Sequence, residues 1–278
     1  MDNRLRWQTI QAKVQETHLV RTVRLFRDRG LEPLVIKGWA LARHYPQAEP
    51  RPASDIDLAF APEDFPAAIE LKNSNELRSV NLDCHCGLRS LDPTPWETIF
   101  ARSRLVPLAD EMIRVPADED LFRISATHWL TDSGGRRDRL RDFKYLLEAT
   151  NNFDWLLALE SAGNVRKTWF YAVLAAARDF ENLDAEFLPN ELKTYELPKW
   201  FRLALEREWR RRPIIRGKLF AAWRYPSRFL ELLSHQITES TIGQCIFLEE
   251  PIGNLPPRLI RLRVFVQKLK REFWQNGN

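Results

Sequence analysis

Cysteine is scarce: there are three in 278 residues, two of them in Cys84-His85-Cys86. So few cannot supply a disulfide framework. No apolar run approaches the ~18 residues that a membrane span requires. The opening Met1-Asp2-Asn3-Arg4-Leu5-Arg6-Trp7 lacks the basic-then-apolar order of a secretion signal. The expected compartment is therefore the cytoplasm. No internal repeat or low-complexity segment stands out.

What is present is an ordinary globular composition, 44% hydrophobic and 29% charged. The length suits one large domain or two smaller ones, each with a proper core. Charge is uneven. Residues 201–278 carry 15 Lys and Arg against 7 Asp and Glu, a net of +8, which leaves residues 1–200 at −4. A basic C-terminal third suits an anionic partner, and it equally suits a solvated helical surface.

Apolar spacing predicts a helix over residues 5–29, stopped by Gly30, and then a short buried strand, Leu34-Val35-Ile36, ending at Gly38. A short helix from Trp39 to Tyr45 and a proline-bounded loop lead into a second strand over residues 54–60. Residues 65–77 suit a helix, 79–88 a strand and 104–115 a hairpin turning at Ala109-Asp110-Glu111. Beyond Pro116 helices are expected over 118–129, 136–150, 153–162 and 165–180, and the remainder reads as helical. The expected class is α+β, with an N-terminal domain over 1–115 and a helical domain over 116–278.

The second strand opens with Asp55-Ile56-Asp57-Leu58. Aspartate is a poor strand former, and two carboxylates on one face repel each other. Strand alternation sends Ile56 and Leu58 to one face and both aspartates to the other. In Val80-Asn81-Leu82-Asp83-Cys84-His85 the same alternation puts Asn81, Asp83 and His85 opposite an apolar set. If the two strands pair, Asp83 joins Asp55 and Asp57. Three convergent carboxylates call for a cation, and hard oxygen donors suit Mg²⁺, with Mn²⁺ as a substitute. That is the chemistry of two-metal phosphoryl and nucleotidyl transfer. An acidic strand that discourages edge-to-edge aggregation is the plain alternative.

Gly38, between strand and helix, allows a backbone N–H to approach a phosphate, and Lys37 beside it can act as a point charge. A solvated lysine at a strand end is the competing reading. Arg51 either contacts a triphosphate, neutralises the aspartates or is a surface arginine. His85 orients Asp83, contacts substrate or is structural. Cys84-His85-Cys86 lacks zinc-ligand spacing. His128 reads as a helix-packing residue, and Ser133-Gly134-Gly135-Arg136-Arg137 as an exposed turn or a phosphate clamp. Arg207, Arg210, Arg211, Arg212, Arg216 and Lys218, interleaved with Trp209 and Phe220, together with basic positions from Arg258 to Arg271, have the residue types of an RNA-binding surface. The last segment also fits an amphipathic helix lying on the domain or on a membrane surface.

The ordered set Ile36-Lys37-Gly38, Tyr45-Pro46, Arg51, Asp55-Ile56-Asp57-Leu58 and Leu82-Asp83-Cys84-His85 resembles an uncharacterised bacterial nucleotidyltransferase family within the DNA polymerase β-like superfamily. The stretch 115–121, His128 and Leu140-Arg141-Asp142 is similar to that family's helical part. Trp39 stands where the superfamily usually has Ser or Gly, and Lys37 is the natural substitute for the missing hydroxyl. Cys86 stands where an aromatic is usual.

The resemblance implies a mixed sheet with flanking helices, followed by a helical region. It also implies a two-metal Mg²⁺ site on Asp55, Asp57 and Asp83, and a nucleotide held by Lys37, Gly38, Arg51 and Ser54. His85 would lie against the substrate. The implied reaction moves a nucleoside monophosphate from a triphosphate to an unidentified acceptor hydroxyl. Two other classes remain open: a lapsed nucleotidyltransferase fold that binds RNA or protein, and a sugar-nucleotide glycosyltransferase. The latter normally has a longer α/β region ahead of its Asp-x-Asp.

Overall fold

The computed structural model describes residues 3–52, 55–88, 92–210, 241–253, 258–260 and 262–263. Ser54 lies outside these residues. So do Arg211, Arg212, Arg216, Lys218, Phe220 and most of the C-terminal basic cluster. Among the described residues no helix is long and apolar enough to cross a membrane.

Helix α1 (Asn3–Arg27) leads to a short strand β1 (Leu34–Val35) and a single turn of helix, α2 (Trp39–Ala42). Strand β2 (Ile56–Phe60), helix α3 (Phe65–Lys72) and strand β3 (Leu82–Cys86) follow. The three strands form one mixed sheet in the order β1-β2-β3, with β1 antiparallel and β3 parallel to β2. Being central, β2 is buried along its whole length. Its Ile56, Leu58 and Phe60 enter the main core with Val23, Phe26 and Leu82. Ala59 faces the other way, with Leu34 and Ile36. The alternation expected of this strand is present, although both of its faces are covered.

Helix α4 (Trp96–Arg102) precedes the hairpin of β4 (Arg104–Leu108) and β5 (Glu111–Val115). The hairpin turns where expected, with Ala109 at φ 53°. Helices α5 (Asp118–Thr131), α6 (Leu140–Ala149), α7 (Gly163–Glu181), α8 (Asn190–Lys193), α9 (Lys199–Arg210) and α10 (Thr241–Phe247) complete the described fold. The chain is thus α+β with a helical C-terminal part. Residues 153–162, expected to form an α-helix, instead contain a π-helical turn, Leu156–Glu160.

The first turn of α5 explains how the helices are seated. Asp118, Glu119 and Asp120 suit a helix N-terminus electrostatically, yet all three are buried. Each has a fixed partner. Asp118 pairs with Arg43 at 2.5 Å and Arg104 at 3.2 Å. Asp120 takes Arg102 at 2.7 Å and Arg123 at 2.6 Å. Glu119 accepts from the Asp154 backbone N–H at 3.0 Å. Arg123, itself fully buried, continues to Asp92 at 2.6 Å. Buried charges persist only when paired and hydrogen-bonded, so this network fixes α5 against α2, α4 and the β4 strand.

Candidate active site

The turn from β1 to α2 depends on Gly38, whose φ of 57° and ψ of −112° are poorly accessible to L side chains. A Cβ there would also lie 3.5 Å from the Asp55 carbonyl oxygen. At the end of β1 the Ile36 backbone N–H donates to the Asp57 carbonyl at 3.2 Å, which sets Asp57 beside this turn.

In the parallel β2–β3 register Asp57 stands directly opposite Asp83, and Ala59 opposite His85. Donor atoms of Asp57, Asp83 and His85 lie within 4.8 Å of one another. His85 Nε2 is 3.3 Å from Asp83 Oδ2 and 3.5 Å from Asp57 Oδ1. That nitrogen is buried and makes no directed hydrogen bond. Two carboxylates and an imidazole with spare donor capacity fit a divalent cation. Asp55 lies outside this group but lines the same cleft.

Lys37 is placed differently from a solvated strand-end lysine. It is 8% exposed, and its Nζ lies 2.7 Å from Asp57 Oδ1. Burial pushes the Asp57 carboxyl upward, but His85 and Lys37 outweigh this and hold it below the usual aspartate range. Arg51 is likewise no surface arginine. It is buried and grips Asp142 of α6 with two bonds, Nε to Oδ1 at 2.6 Å and Nη2 to Oδ2 at 2.8 Å. Tyr45 donates its hydroxyl to the same Oδ1 at 2.6 Å. Burial and Asp142 together raise the pKa of Tyr45, so it stays a neutral donor.

Asp55 and Asp57 open into a cleft of about 770 Å³, counting its open mouth. One wall carries Lys37, Gly38, Arg51, Asp55 and Asp57; the other carries Ser125, His128 and Trp129 of α5, then Asp132, Arg136 and Arg139. Ser125, His128 and Asp132 follow one another at helical intervals of three and four, the spacing of a single helix face. That spacing was visible in the sequence, but only the fold brings this face opposite Asp57. His128 thus lines the cleft, where a helix-packing role was expected. Burial, with the charge of Lys37 nearby, lowers its pKa.

Residues 133–137 form a tight turn with Ser133 at φ 60° and Gly134 at φ 66°. A Cβ on Gly134 would lie 2.4 Å from Leu205 Cδ2 and 3.0 Å from Trp129. The turn's two arginines diverge. Arg136 lines the cleft, whereas Arg137 bonds Glu181 at 2.9 Å and stacks 5.6 Å from the Trp209 ring centroid. A second, more apolar recess shares Lys37, Arg51, Asp55 and Asp57 with the cleft and is also lined by Ala12, Leu19, Val35, Trp39 and Ile56. Cys84 and Cys86 are free thiols, and among the described residues neither belongs to a metal-ligating group.

No curated protein and no solved structure matches this chain. The family described as uncharacterised nucleotidyltransferase matches it over residues 1–180, which include every cleft residue named above. The chain belongs to that nucleotidyltransferase family.

Proposed function

We propose that this protein is a divalent-metal-dependent nucleotidyltransferase that moves a nucleoside monophosphate from a triphosphate to an acceptor hydroxyl. The observation that carries this reading is the pairing of Asp57, which lines the open cleft, with Asp83 across β2 and β3, and His85 beside them. Family membership supports it independently.

Asp57, Asp83 and His85 are the residues that would hold the metal, with Asp55 next to them. An all-oxygen set favours Mg²⁺, and the imidazole extends the fit to Mn²⁺. A bound divalent cation supplies charge neutralisation at the phosphate oxygens and acidifies a nearby hydroxyl. Asp57 is buried and held ionised by its neighbours, which suits a ligand. The Asp83 side chain is 57% exposed, so a proton it accepts from the acceptor can leave to solvent. The acceptor oxygen then forms its bond to the α-phosphorus as the bond from that phosphorus to the β-phosphate oxygen breaks, releasing pyrophosphate. Gly38 lets the backbone approach the phosphates.

A second reading is a lapsed enzyme that binds RNA or protein. It is favoured by the commitment of Lys37 to Asp57 and Arg51 to Asp142, and by Trp39 in place of a small hydroxyl residue. Incubation with each labelled nucleoside triphosphate, Mg²⁺ or Mn²⁺ and cell extract tests the choice. Metal-dependent label on an acceptor, lost in Asp57→Asn, supports transfer. Tight nucleotide binding with no metal dependence and no labelled acceptor supports the lapsed form.

A further inference from the structure

Four cations line the cleft: Lys37, Arg51, Arg136 and Arg139. Three have a carboxylate. Lys37 has Asp57 at 2.7 Å, Arg51 has Asp142 at 2.6 Å and Arg136 has Asp138 at 2.7 Å. Arg139, immediately ahead of α6, donates Nη1 to the Pro52 carbonyl at 3.0 Å. Among the described residues no carboxylate stands within salt-bridge distance of it. This guanidinium is half-buried; burial and Arg51 nearby outweigh the more distant Asp142 and Asp138 and lower its pKa.

On the same wall Ser125 is 6% exposed, and its Oγ has no hydrogen-bond partner. A half-buried guanidinium without a directly paired carboxylate and a buried hydroxyl short of its bond both cost free energy in the empty protein. One ligand chemistry corrects both. A phosphate oxygen pair accepts from a guanidinium fork, and a further oxygen accepts from a hydroxyl.

We propose that Arg139, with Ser125 and Arg136 on the same wall of the cleft, binds the terminal phosphates of the nucleoside triphosphate. This rests on the nucleotidyl-transfer reading and adds direction to it. The carboxylate end at Asp57 and Asp83 draws the metal and the α-phosphate, and the helical wall draws the β- and γ-phosphates. The phosphate contacts expected of Lys37 and Arg51 pass to residues supplied by the helices. The leaving pyrophosphate would then depart along the wall that carries Arg139.

The test uses inorganic tripolyphosphate without metal, titrated calorimetrically at low salt into the whole protein and into Arg139→Gln, Arg139→Lys and Ser125→Ala. Arg139→Gln should weaken binding about tenfold or more, and Arg139→Lys less, since the charge survives without the fork. Ser125→Ala should cost a few-fold. Nucleoside monophosphate affinity should change little in any variant.

Equal tripolyphosphate affinity in the parent and Arg139→Gln overturns the proposal. An equal loss for monophosphate and tripolyphosphate also overturns it, by assigning the site to an α- or acceptor phosphate. Melting temperature separates a mere brace on Pro52. A fall in Arg139→Gln with the full tripolyphosphate-induced shift retained contradicts phosphate binding. An unchanged or raised melting temperature with that shift abolished supports it. Because these readouts need neither metal nor turnover, absence of transfer would sink the catalytic reading alone. Transfer with an unchanged KM for nucleotide in Arg139→Gln would sink only this assignment.

Discussion

Lys37 Nζ and Asp57 Oδ1 lie 2.7 Å apart with both side chains buried, so the lysine is a built-in counter-ion of the carboxylate proposed to bind metal. Removing one partner of a buried pair typically costs about 3–5 kcal/mol. Lys37→Ala is therefore expected to lower the melting temperature of metal-free protein strongly. Mn²⁺ should restore much of the loss, because a divalent cation replaces the missing charge beside Asp57. A loss that is the same with and without Mn²⁺ would show that the lysine and the metal do not share this carboxylate.

The two strand aspartates should behave differently on neutralisation. Asp57→Asn strands the Lys37 ammonium in a buried position and should cost about 3 kcal/mol in denaturant unfolding. Asp83→Asn, at a largely exposed side chain, should stay within about 0.5 kcal/mol of the parent. Both should abolish Mn²⁺ binding followed by electron paramagnetic resonance. Undiminished Mn²⁺ affinity in Asp83→Asn would remove that residue from the metal site.

Arg51 and Asp142 form a unit separated by 91 positions in the chain. Arg51→Ala and Asp142→Ala should each destabilise by about 3 kcal/mol, and the double variant by little more than either alone. Additive losses in urea unfolding would mean that the pair contributes through separate contacts.

Asp118 provides a pH dependence. Burial raises its carboxyl pKa, but His44, Arg43 and Arg104 outweigh this and pull it down to about 2. A depressed carboxylate stabilises the fold fully above its unfolded pKa of about 4, and that contribution fades as pH falls toward 2. Asp118→Asn should thus cost about 2 kcal/mol at pH 7 and almost nothing, relative to the parent, at pH 2. A stability difference that does not change over this range would contradict the assignment.

The three-stranded sheet and the hairpin were legible because alternation in 54–60 and 80–86 is strong and a turn signal interrupts 104–115. Period-two reasoning expected Asp55, Asp57 and Asp83 to converge, with His85 on the face of Asp83; the parallel register brings Asp57, Asp83 and His85 together and leaves Asp55 outside that group. Helix α4 escaped notice because a single short helix behind Pro93 and Pro95 carries little periodicity. Long-range partners were illegible for a different reason. Nothing local to Arg51 announces a carboxylate on α6, and nothing local to Lys37 says that its ammonium turns toward Asp57. Both were therefore read as phosphate contacts. The same limit hid His128, whose helix face acquires meaning only once α5 is laid across the cleft.

The strap between α2 and β2 is pinned at both ends of its descent, by Arg43 to Asp118 and by Arg51 and Tyr45 to Asp142. Swinging the sheet away from the helices would break both anchors at once. Both anchors therefore oppose any opening between the sheet and the helices. A cleft lined by Lys37, Arg51, Arg136 and Arg139 draws a charged ligand by long-range attraction, which makes the association rate of a nucleotide steeply sensitive to ionic strength.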